Sequence, residues 1–265
     1  MGATSEQGND VGDDEKPVHS VTLSGYYIGK TEVTQALWKA VMGSNPSSFK
    51  GDNRPVENVS WNDCQKFIRI LNSMTGQNFR LPTEAEWEFA CRGGINSRGY
   101  KYSGSNYIDS VAWYDDNSEQ KTRPVATKLP NELGIYDMSG NVWEWCSDWY
   151  GDYSSSAQTN PKGPDNGSYR VNRGGCWYYN AGICRSSCRS SYSPSYGYFN
   201  RGLRLALTPS LDATSVRQED AAGYDVLFNC NVPSALLFID GVPNGTVSGT
   251  RFLKTGNHSI KVTAD

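Results

Sequence analysis

The feature that most constrains this chain is a long stretch, from about residue 95 to about residue 200, with neither helical nor strand periodicity. Gly, Ser, Asn, Asp and Tyr dominate it, and its apolar residues occur in short islands. Such a composition is compatible with disorder, but disordered chains are poor in aromatic residues. Because the stretch contains Trp113, Trp143, Trp145, Trp149 and Trp177, we expect long loops folded around a core of large aromatics.

Regular secondary structure is predicted mainly outside this stretch. Residues 18–29 alternate between polar and apolar side chains and predict a strand, and residues 202–207 alternate strictly and predict a closing strand. Three helices are predicted where an N-cap residue precedes an apolar pattern, and two of these starts resemble a capping box. The N-cap residues are Thr34, Ser60 and Thr83, and Gly43 is expected to end the first helix.

Composition divides the chain into two parts. Residues 1–209 hold the helices, the long loops and the closing strand, and residues 210–221 read as a polar linker. Residues 222–265 carry short strand-like runs between the turn signals at 240–241, 243–245 and 255–257, which predicts a small all-β module. Its segment FIDGVPNGT resembles the hairpin of the PEGA module, but the chain stops where that module usually continues. The resemblance is therefore partial.

Charge and hydropathy exclude several classes of partner. The 25 basic and 28 acidic side chains leave a formal charge of −3, which offers no electrostatic footprint for nucleic acid or an anionic membrane surface. No run of about 18 apolar residues occurs, and no basic-then-apolar signal segment opens the chain. The seven cysteines are too scattered for a disulfide scaffold, so we expect one pair and free thiols. We expect no membrane span and a partner recognised through local contacts.

Six segments together resemble the formylglycine-generating-enzyme, or sulfatase-modifying-factor, family, and their order and spacing cover about residues 1–207. The resemblance implies an α+β, loop-rich fold related to C-type lectins, in a family that also holds non-enzymatic relatives. The opening Met1-Gly2 is similar to a Met-Gly inside the family's first strand region. We therefore expect the natural chain to begin earlier, with any export signal out of view and a cell-surface, periplasmic or secreted location favoured. The segments are YYIGKTEVTQALW, RPVENVSWNDC, RLPTEAEWEFACRGG, NELGIYDMSGNVWEW, NRGGCW and GLRLAL.

The family's catalytic cysteine pair is incomplete in this chain. Enzymes of the family oxidise a substrate cysteine to formylglycine with molecular oxygen, using two cysteines five residues apart that hold copper(I), a soft ion suited to thiolates. Alignment through Gly174-Gly175 puts the second cysteine on Cys184 and the first on Tyr179, which cannot replace a thiolate. A rearranged pair with Cys176 or Cys188 is a less favoured alternative to buried or disulfide-bonded thiols.

Two more implications of the resemblance concern Cys and His. In family enzymes the cysteine of the CRGG segment pairs with one just after the catalytic pair, which implies a Cys91–Cys188 disulfide, one residue out of register. A second enzymatic branch, the iron-dependent sulfoxide synthases, relies on a histidine cluster, and non-haem iron normally takes two histidines and a carboxylate. With only His19 and His258 in the chain, this branch is not expected.

The segment 137–145 resembles the family's calcium loop. The positions of Asp137 and Glu144 supply carboxylate oxygens there, and those of Gly140 and Val142 supply backbone carbonyls, a mixed set of hard oxygens that calcium accepts. The alternative is that the tryptophans of this segment are core residues and its carboxylates are solvated or cap a turn. We favour a calcium ion with a structural role.

Residues 176–200 replace the active site of the family enzymes, and Tyr, Ser, Gly and Asn dominate them. These are the residue types of evolved paratopes, because Tyr gives wide contact area at low entropy cost and Ser and Asn give adaptable hydrogen bonds. We therefore expect a surface that binds a protein or a glycan. Its expected contact residues are Cys176, Tyr178, Tyr179, Asn180, Ile183, Ser187, Ser190, Tyr192, Ser195, Tyr196, Tyr198, Phe199 and Asn200.

The same stretch resembles the variable region of diversity-generating-retroelement proteins, which use a lectin-like fold and mutate adenines selectively. The contact positions from Tyr178 onward, with Cys188 and Ser191, all carry residue types reachable from an AAC codon by changing its adenines. The interspersed residues, including Arg185, Arg189, Arg201 and Arg204, would be a fixed scaffold that need not touch the ligand. A Tyr/Ser-rich loop of ordinary ancestry is the alternative.

Three functions remain open at this point. The favoured one is a non-catalytic ligand-binding protein with a surface at residues 176–200 that is diversified by a retroelement. The second is a copper-dependent oxidase that makes formylglycine on sulfatase cysteines, with Cys184 as its remaining catalytic residue. The third is a structural cell-surface module attached through its C-terminal part.

Overall fold

The structure is a computed structural model of the 265-residue chain. It describes residues 1–9 and 11–209 in full and, beyond these, the backbone of five strands. The chain divides into two compact units, Met1–Pro209 and Ser210–Asp265. The predicted linker 210–221 and the predicted turns at 240–241 and 255–257 lie outside the described residues.

The three predicted helices are confirmed, and their caps explain their bounds. Thr34, Ser60 and Thr83 each accept a hydrogen bond from the backbone N–H three residues on, which satisfies one of the free donors at a helix start. Gly43 and Gly76 end the first two helices in the left-handed conformation. The described helices are α1 (Gln35–Met42), α2 (Trp61–Thr75), α3 (Glu84–Cys91) and the short α4 (Ile108–Val111), and none of them could cross a membrane.

The strands of the first unit are short and form three sheets. The largest has the order β7-β6-β4-β8, the second has the order β2-β9-β3, and β1 pairs with β5 in parallel. The strands are β1 (Val21–Thr22), β2 (Tyr27–Ile28), β3 (Phe79–Arg80), β4 (Trp143–Trp149), β5 (Gln158–Thr159), β6 (Arg170–Arg173), β7 (Arg189–Tyr192), β8 (Arg201–Gly202) and β9 (Ala206–Leu207).

Both strand predictions for this unit were too long. Residues 18–29 form β1 and β2, which belong to different sheets. Residues 202–207 are also divided between two sheets, because β8 pairs with β4 whereas β9 pairs with β2 and β3. Between the two sheets the carbonyls of Leu203 and Leu205 accept hydrogen bonds from Val33 and Gly29. These bonds take the place of the strand-to-strand hydrogen bonds over residues 203–205, so the alternation of polar and apolar side chains continues although the strand is interrupted.

The long loop region is folded around tryptophans, as its composition indicated. Trp145 and Trp87 are fully buried, and their indole N–H groups donate to the Val59 carbonyl at 3.0 Å and to the Glu144 carboxylate at 2.6 Å. Trp143 and Trp177 are 4% and 3% exposed. The rings of Trp145 and Trp87 are thus each anchored to a different segment, which holds loops together where regular ladders are few.

The described backbone of the second unit consists of strands, in agreement with the expected all-β module. Strand β10 (Gly223–Phe228) pairs with β13 (Gly249–Lys254), and a second sheet has the order β12-β11-β14, made of Val242–Thr246, Leu236–Ile239 and Ile260–Thr263. The turn predicted at 243–245 was wrong, because these residues lie in β12. Proline is tolerated there because β12 is an edge strand.

Candidate functional site

Six aromatic side chains from residues 178–199 form a continuous surface, which is termed the tyrosine face. Neighbouring ring centroids lie between 4.0 and 5.9 Å apart along the whole series. The five tyrosines are between 38% and 50% exposed, and the phenylalanine is partly buried. In order of contact the members are Tyr179, Tyr178, Phe199, Tyr198, Tyr196 and Tyr192.

Main-chain atoms hold the loops that carry the tyrosine face. The Tyr179 carbonyl accepts from the Asp115 N–H at 3.2 Å, the Tyr198 carbonyl accepts from Asn58 at 3.0 Å, and the Pro194 carbonyl accepts from Asn62 at 3.0 Å. In contrast, the hydroxyls of Tyr178, Tyr179, Tyr196 and Tyr198 make none of the hydrogen bonds found within residues 1–9 and 11–209. The backbone of these loops therefore does not depend on which side chains the face carries.

Four buried ion pairs, whose arginines lie between residues 173 and 204, are termed the arginine–glutamate layer. The guanidinium forks bind carboxylates at 2.5–2.7 Å, which is the geometry of strong charge-assisted bonds. Arg185, Arg189 and Arg204, which were expected to belong to the scaffold, are buried in these pairs. The pairs are Arg173–Glu88, Arg185–Glu15, Arg189–Glu84 and Arg204–Glu144.

Part of the predicted contact set lies inside the protein. Cys176, Ser187 and Asn200 are at most 2% exposed, so their prediction as surface contacts was wrong. The Ser187 hydroxyl bonds to Gln7 at 3.0 Å and to Glu15, and the Asn200 amide donates to the Cys176 sulfur at 3.5 Å. Of the remaining predicted contacts, Asn180 and Ser195 are exposed with the tyrosines, whereas Ile183, Ser190 and Phe199 are partly buried.

The thiols of this region do not fit the family's copper pair. Tyr179 is exposed and supplies no thiolate, and Cys184 is fully buried. Burial raises the pKa of Cys176 to about 12 and that of Cys188 to about 11, and it raises the pKa of Cys184 well above its ordinary value. The protonated thiol is therefore favoured at each of these positions, which is the opposite of a reactive cysteine.

The implied Cys91–Cys188 disulfide is not formed. Both residues are among the free cysteines of the described chain. The Cys91 thiol donates instead to the Met138 carbonyl at 3.6 Å, and the Cys188 sulfur lies 3.9 Å from the Arg189 carbonyl. Each thiol thus has its own main-chain acceptor.

The loop predicted to bind calcium is shaped by left-handed residues. Asp137, Gly140 and Asn141 have φ values of +58°, +83° and +57°. A Cβ atom at Gly140 would lie 2.3 Å from the Trp113 carbonyl oxygen, so only glycine allows this approach. The resulting turn directs the Asp137 carboxylate inward, where it is 3% exposed.

The carboxylates of this loop leave acceptor sites free for a cation. One oxygen of Asp137 accepts the Ala126 N–H at 2.7 Å, whereas its Oδ1 is buried without a partner, and burial raises the pKa of Asp137 to about 6. Glu144 accepts three hydrogen bonds from Trp87 and Arg204, so one of its roughly four acceptor positions remains. These two side chains fit a calcium ion completed by the carbonyls of Gly140 and Val142. No group of three or more His, Cys, Asp and Glu within the described residues is arranged to hold a metal, so the carbonyls are essential to this fit.

Sequence reasoning missed Glu32, which belongs to the same cluster. Its two oxygens accept the Asn141 amide at 2.7 Å and the Val142 N–H at 3.2 Å. Burial, with the nearby carboxylates of Asp137 and Glu144, raises the pKa of Glu32 well above its ordinary value. The signal available in the sequence was its place in the segment YYIGKTEVTQALW, which was used only to recognise the family.

Comparison with known proteins identifies the class of the scaffold. Residues 1–209 match the model of the sulfatase-modifying factor enzyme 1-like domain, so the chain belongs to this family. It is 37% identical over 238 residues to chaperone protein LppX of Paenibacillus barcinonensis, covering 70% of this chain and 81% of that protein. It is 36% identical over 190 residues to the formylglycine-generating enzyme of Mus musculus, covering 66% of this chain and half of that enzyme's length.

Among solved structures, the chain is similar to Treponema denticola variable protein 1, with a TM-score of 0.69 and 38% identity. That match covers 72% of this chain and 87% of the other. PvdO from Pseudomonas aeruginosa matches with a TM-score of 0.63 and 25% identity, covering 74% of this chain and 85% of that one. The expected α+β fold and the resemblance to variable proteins are both confirmed.

Proposed function

We propose that this protein binds another protein through the tyrosine face without catalysing a reaction, and that a retroelement diversifies this face. The observation that carries the proposal is the tyrosine face itself, which occupies the region where family enzymes have their catalytic cysteine pair. Its five tyrosines are exposed, and their loops are held by main-chain bonds. Such a surface is suited to recognition, because the side chains are free to contact a partner.

The shape of the surface favours a protein as the ligand. Small-molecule sites are usually concave and enclose most of the ligand. A cavity of about 460 Å³ does exist in this unit, but it is lined by His19, Glu84, Asp148 and Tyr153 among others, and no member of the tyrosine face borders it. A row of exposed tyrosines offers the broad contact area that protein recognition uses, since Tyr is enriched at interface hot spots.

Three observations support the absence of oxidase chemistry. Tyr179 stands at the position of one copper ligand, Cys184 is buried, and burial raises the pKa of Cys176 to about 12. The direct test is incubation of the protein with copper(I), oxygen, a Cys-x-Pro-x-Arg peptide and an excess of a thiol reductant, which supplies the two electrons of the oxidase reaction and keeps the peptide free of disulfides. We expect no change in peptide mass, and conversion of the thiol to an aldehyde would overturn this part of the proposal.

Diversification is supported by the exposure of the variable-type positions, which are those whose residue types are reachable from an AAC codon by changing its adenines. Most of them are exposed or partly exposed, and the chain is 38% identical to a protein named variable protein 1 of Treponema denticola. The test is the neighbouring DNA. We expect a near-copy of the coding sequence for residues 176–200 that differs at adenines, next to a reverse transcriptase gene. The absence of both would contradict diversification and leave the binding function standing.

The binding function can be tested without knowing the natural ligand. The full chain is used to select binders from a library of displayed small proteins, and each binder is measured against two double variants. Tyr178→Ser with Tyr196→Ser removes two members of the tyrosine face, and Tyr107→Ser with Tyr169→Ser removes two tyrosines that are 79% and 53% exposed elsewhere. We expect the first pair to weaken binding about a hundredfold, as hot-spot truncation does, and the second to leave it unchanged. Equal effects of the two pairs would contradict the proposed site.

A structural calcium ion is the second part of the proposed function. It is supported by the orphaned Asp137 Oδ1 and by the remaining acceptor position of Glu144. When bound, the ion would supply positive charge to a cluster of buried carboxylates and would order the loop from Asp137 to Val142. The protein's own residues hold this loop against Trp113 and, through Arg204, against the scaffold.

A further inference from the structure

Arg201 differs from the other buried arginines of the first unit because it has no carboxylate partner. It is 3% exposed, as buried as Arg185 or Arg189, yet none of the ion pairs within residues 1–9 and 11–209 includes it. Its segment supplies no candidate, since residues 176–204 contain no Asp or Glu. A buried charge is normally paired, because removing it from water without a partner is costly.

Arg201 lies beneath one half of the tyrosine face. Its guanidinium carbon is 3.5 Å from the ring centroid of Tyr192, 5.9 Å from that of Tyr196 and 5.8 Å from that of Tyr198. These are cation–π distances, and the three rings cover the cation on the side of the face. Strand β8 fixes its backbone beside Trp143 of β4. The charge is therefore built into the rigid scaffold below rings that are themselves exposed.

The donors of Arg201 are only partly used. Its Nη1 donates to the Asn200 side-chain oxygen at 3.2 Å, and its Nε is buried without a hydrogen-bond partner. Burial also lowers the pKa of Arg201, whereas the Glu144 carboxylate overcomes the same effect of burial on Arg204 and raises its pKa. A guanidinium presents its donors in a planar fork that matches the two oxygens of a carboxylate.

We propose that Arg201 receives a carboxylate of the protein ligand, which enters between the tyrosines of the face. This inference rests on the proposed binding function and adds the chemical class of its central contact, an Asp or Glu side chain of the partner. The ring of Tyr196 is held over Arg201 by stacking on Tyr192 and Tyr198, with centroid distances of 5.4 and 5.6 Å. In this proposal the partner's carboxylate reaches the cation where these rings part.

The experiment uses the binders selected on the full chain and forms a double-mutant cycle. In each binder, the acidic residues are changed one at a time, Glu→Gln or Asp→Asn, and affinity is measured for the wild type and for Arg201→Gln. We expect one acidic residue per binder whose change weakens binding to the wild type about 10- to 100-fold, and has no further effect on Arg201→Gln. Arg201→Lys keeps the charge but loses the fork, so it should bind with intermediate affinity. Arg69→Gln, which removes an exposed charge on α2, is the matched control and should bind as the wild type does.

The outcomes separate this inference from the proposed function. Binders that need the tyrosines but bind Arg201→Gln as well as the wild type, or that tolerate every acid-to-amide change, overturn the role of Arg201 and leave the tyrosine face as the binding site. A failure to obtain any binder that depends on the tyrosines overturns both. Binding confined to uronate- or sialate-bearing glycans, tested on a glycan array, overturns the choice of a protein ligand. If Arg201→Gln does not fold, the same cycle is measured with Arg201→Lys: a smaller effect of the acid-to-amide change on this variant supports the inference, and an unchanged effect overturns it.

Discussion

The tyrosine face and the arginines of the arginine–glutamate layer come from the same stretch of chain, residues 173–204, yet they are held by different kinds of bond. Above, Tyr179 and Tyr198 are fixed through their carbonyls, and their side chains are exposed. Below, Arg173 and Arg204 are fixed through their side chains, which are fully buried against Glu88 and Glu144. Side-chain identity therefore matters for folding in the layer and has little influence on folding at the face.

This division explains how one segment can both complete a core and vary its surface. Residues 185–189 are all buried and belong to the core side of this division, where Arg185 and Arg189 pair with carboxylates from distant parts of the chain. The backbone N–H groups of Asn58 and Asn62 donate to carbonyls of the next loop, residues 193–200, and hold this loop against the start of α2. The predictions that follow test whether the two regions are as independent as these contacts indicate.

The largest effect is expected in the layer, at Arg204. Arg204→Ala leaves the carboxylate of Glu144 buried and removes hydrogen bonds to the carbonyls of Gly29 and Tyr136. Breaking one partner of a buried ion pair typically lowers the free energy of unfolding by about 3–5 kcal/mol. Urea denaturation measures the change, with the exposed Arg69→Ala as control. A loss below about 1 kcal/mol would show that the layer does not hold the scaffold.

The pH dependence of stability tests Asp148, a buried carboxyl that accepts a hydrogen bond from the backbone N–H of Glu84, a member of the layer. Burial, with the carboxylate of Glu84 nearby, raises the pKa of Asp148 from 3.8 to about 7. Between these values the folded state binds a proton that the unfolded state has released, so stability falls as pH rises from about 4 to 7. The separation corresponds to at most about 4 kcal/mol.

Asp148→Asn removes this titration. Urea denaturation from pH 4 to pH 7.5 should therefore show the wild type losing stability relative to Asp148→Asn as pH rises. The exposed Asp165→Asn serves as the matched carboxyl control and should follow the wild type. Parallel profiles for the wild type and Asp148→Asn would refute the expected titration.

Calcium bound at the loop from Asp137 to Glu144 should stabilise the protein by a smaller amount. A ligand that binds only the folded state adds about 2.7 kcal/mol when its concentration is a hundred times its Kd. Thermal unfolding in calcium and in EGTA should therefore differ for the wild type and should coincide for Asp137→Ala, which removes the side-chain oxygens from this position. Glu57→Gln, a buried carboxyl outside the proposed ligands, should keep the calcium response. Equal melting temperatures of the wild type in calcium and EGTA would contradict the proposed ion.

Ser187 gives the clearest test of the difference between the tyrosine face and the layer. Its residue type is one of the variable types, but its side chain is buried among the residues of the layer. It is fully buried and bonds to Gln7 and Glu15. Ser187→Tyr should overpack this site and lower the free energy of unfolding by about 1–3 kcal/mol. Ser195→Tyr makes the same change at an exposed position and should be neutral. Equal stability of the two variants would remove the distinction drawn between face and layer.

Local signals made the helices predictable, whereas the central sheet had none. The caps at Ser60 and Thr83 are fixed by neighbours three residues away, so the sequence displays them directly. Strand β4 reads Trp-Glu-Trp-Cys-Ser-Asp-Trp and is buried on nearly every residue, which removes the alternation that marks a half-buried strand. Its Glu144 is stable there only because Arg204, 60 residues later, supplies the charge.

The same limit applies to the candidate site. The tyrosines were predictable as surface residues from composition alone, and five of them are exposed. Ser187 and Asn200 were misplaced, because Ser and Asn are usually exposed and the partners that bury Ser187 lie at the opposite end of the unit's sequence. Arg201 was grouped with the scaffold arginines, since no sequence pattern shows that a carboxylate is lacking.

The smallest effect on folding is expected at the tyrosine face itself. Tyr178→Ser and Tyr196→Ser each remove an exposed ring whose hydroxyl makes none of the hydrogen bonds of the described residues, and neither change touches the carbonyls that anchor the loops. Surface substitutions of this kind usually change the free energy of unfolding by less than about 0.5 kcal/mol. Urea denaturation of the two variants should match the wild type, while their affinity for selected binders falls. A loss of more than about 1 kcal/mol at either position would mean that the rings support the fold, and the face could then not vary freely.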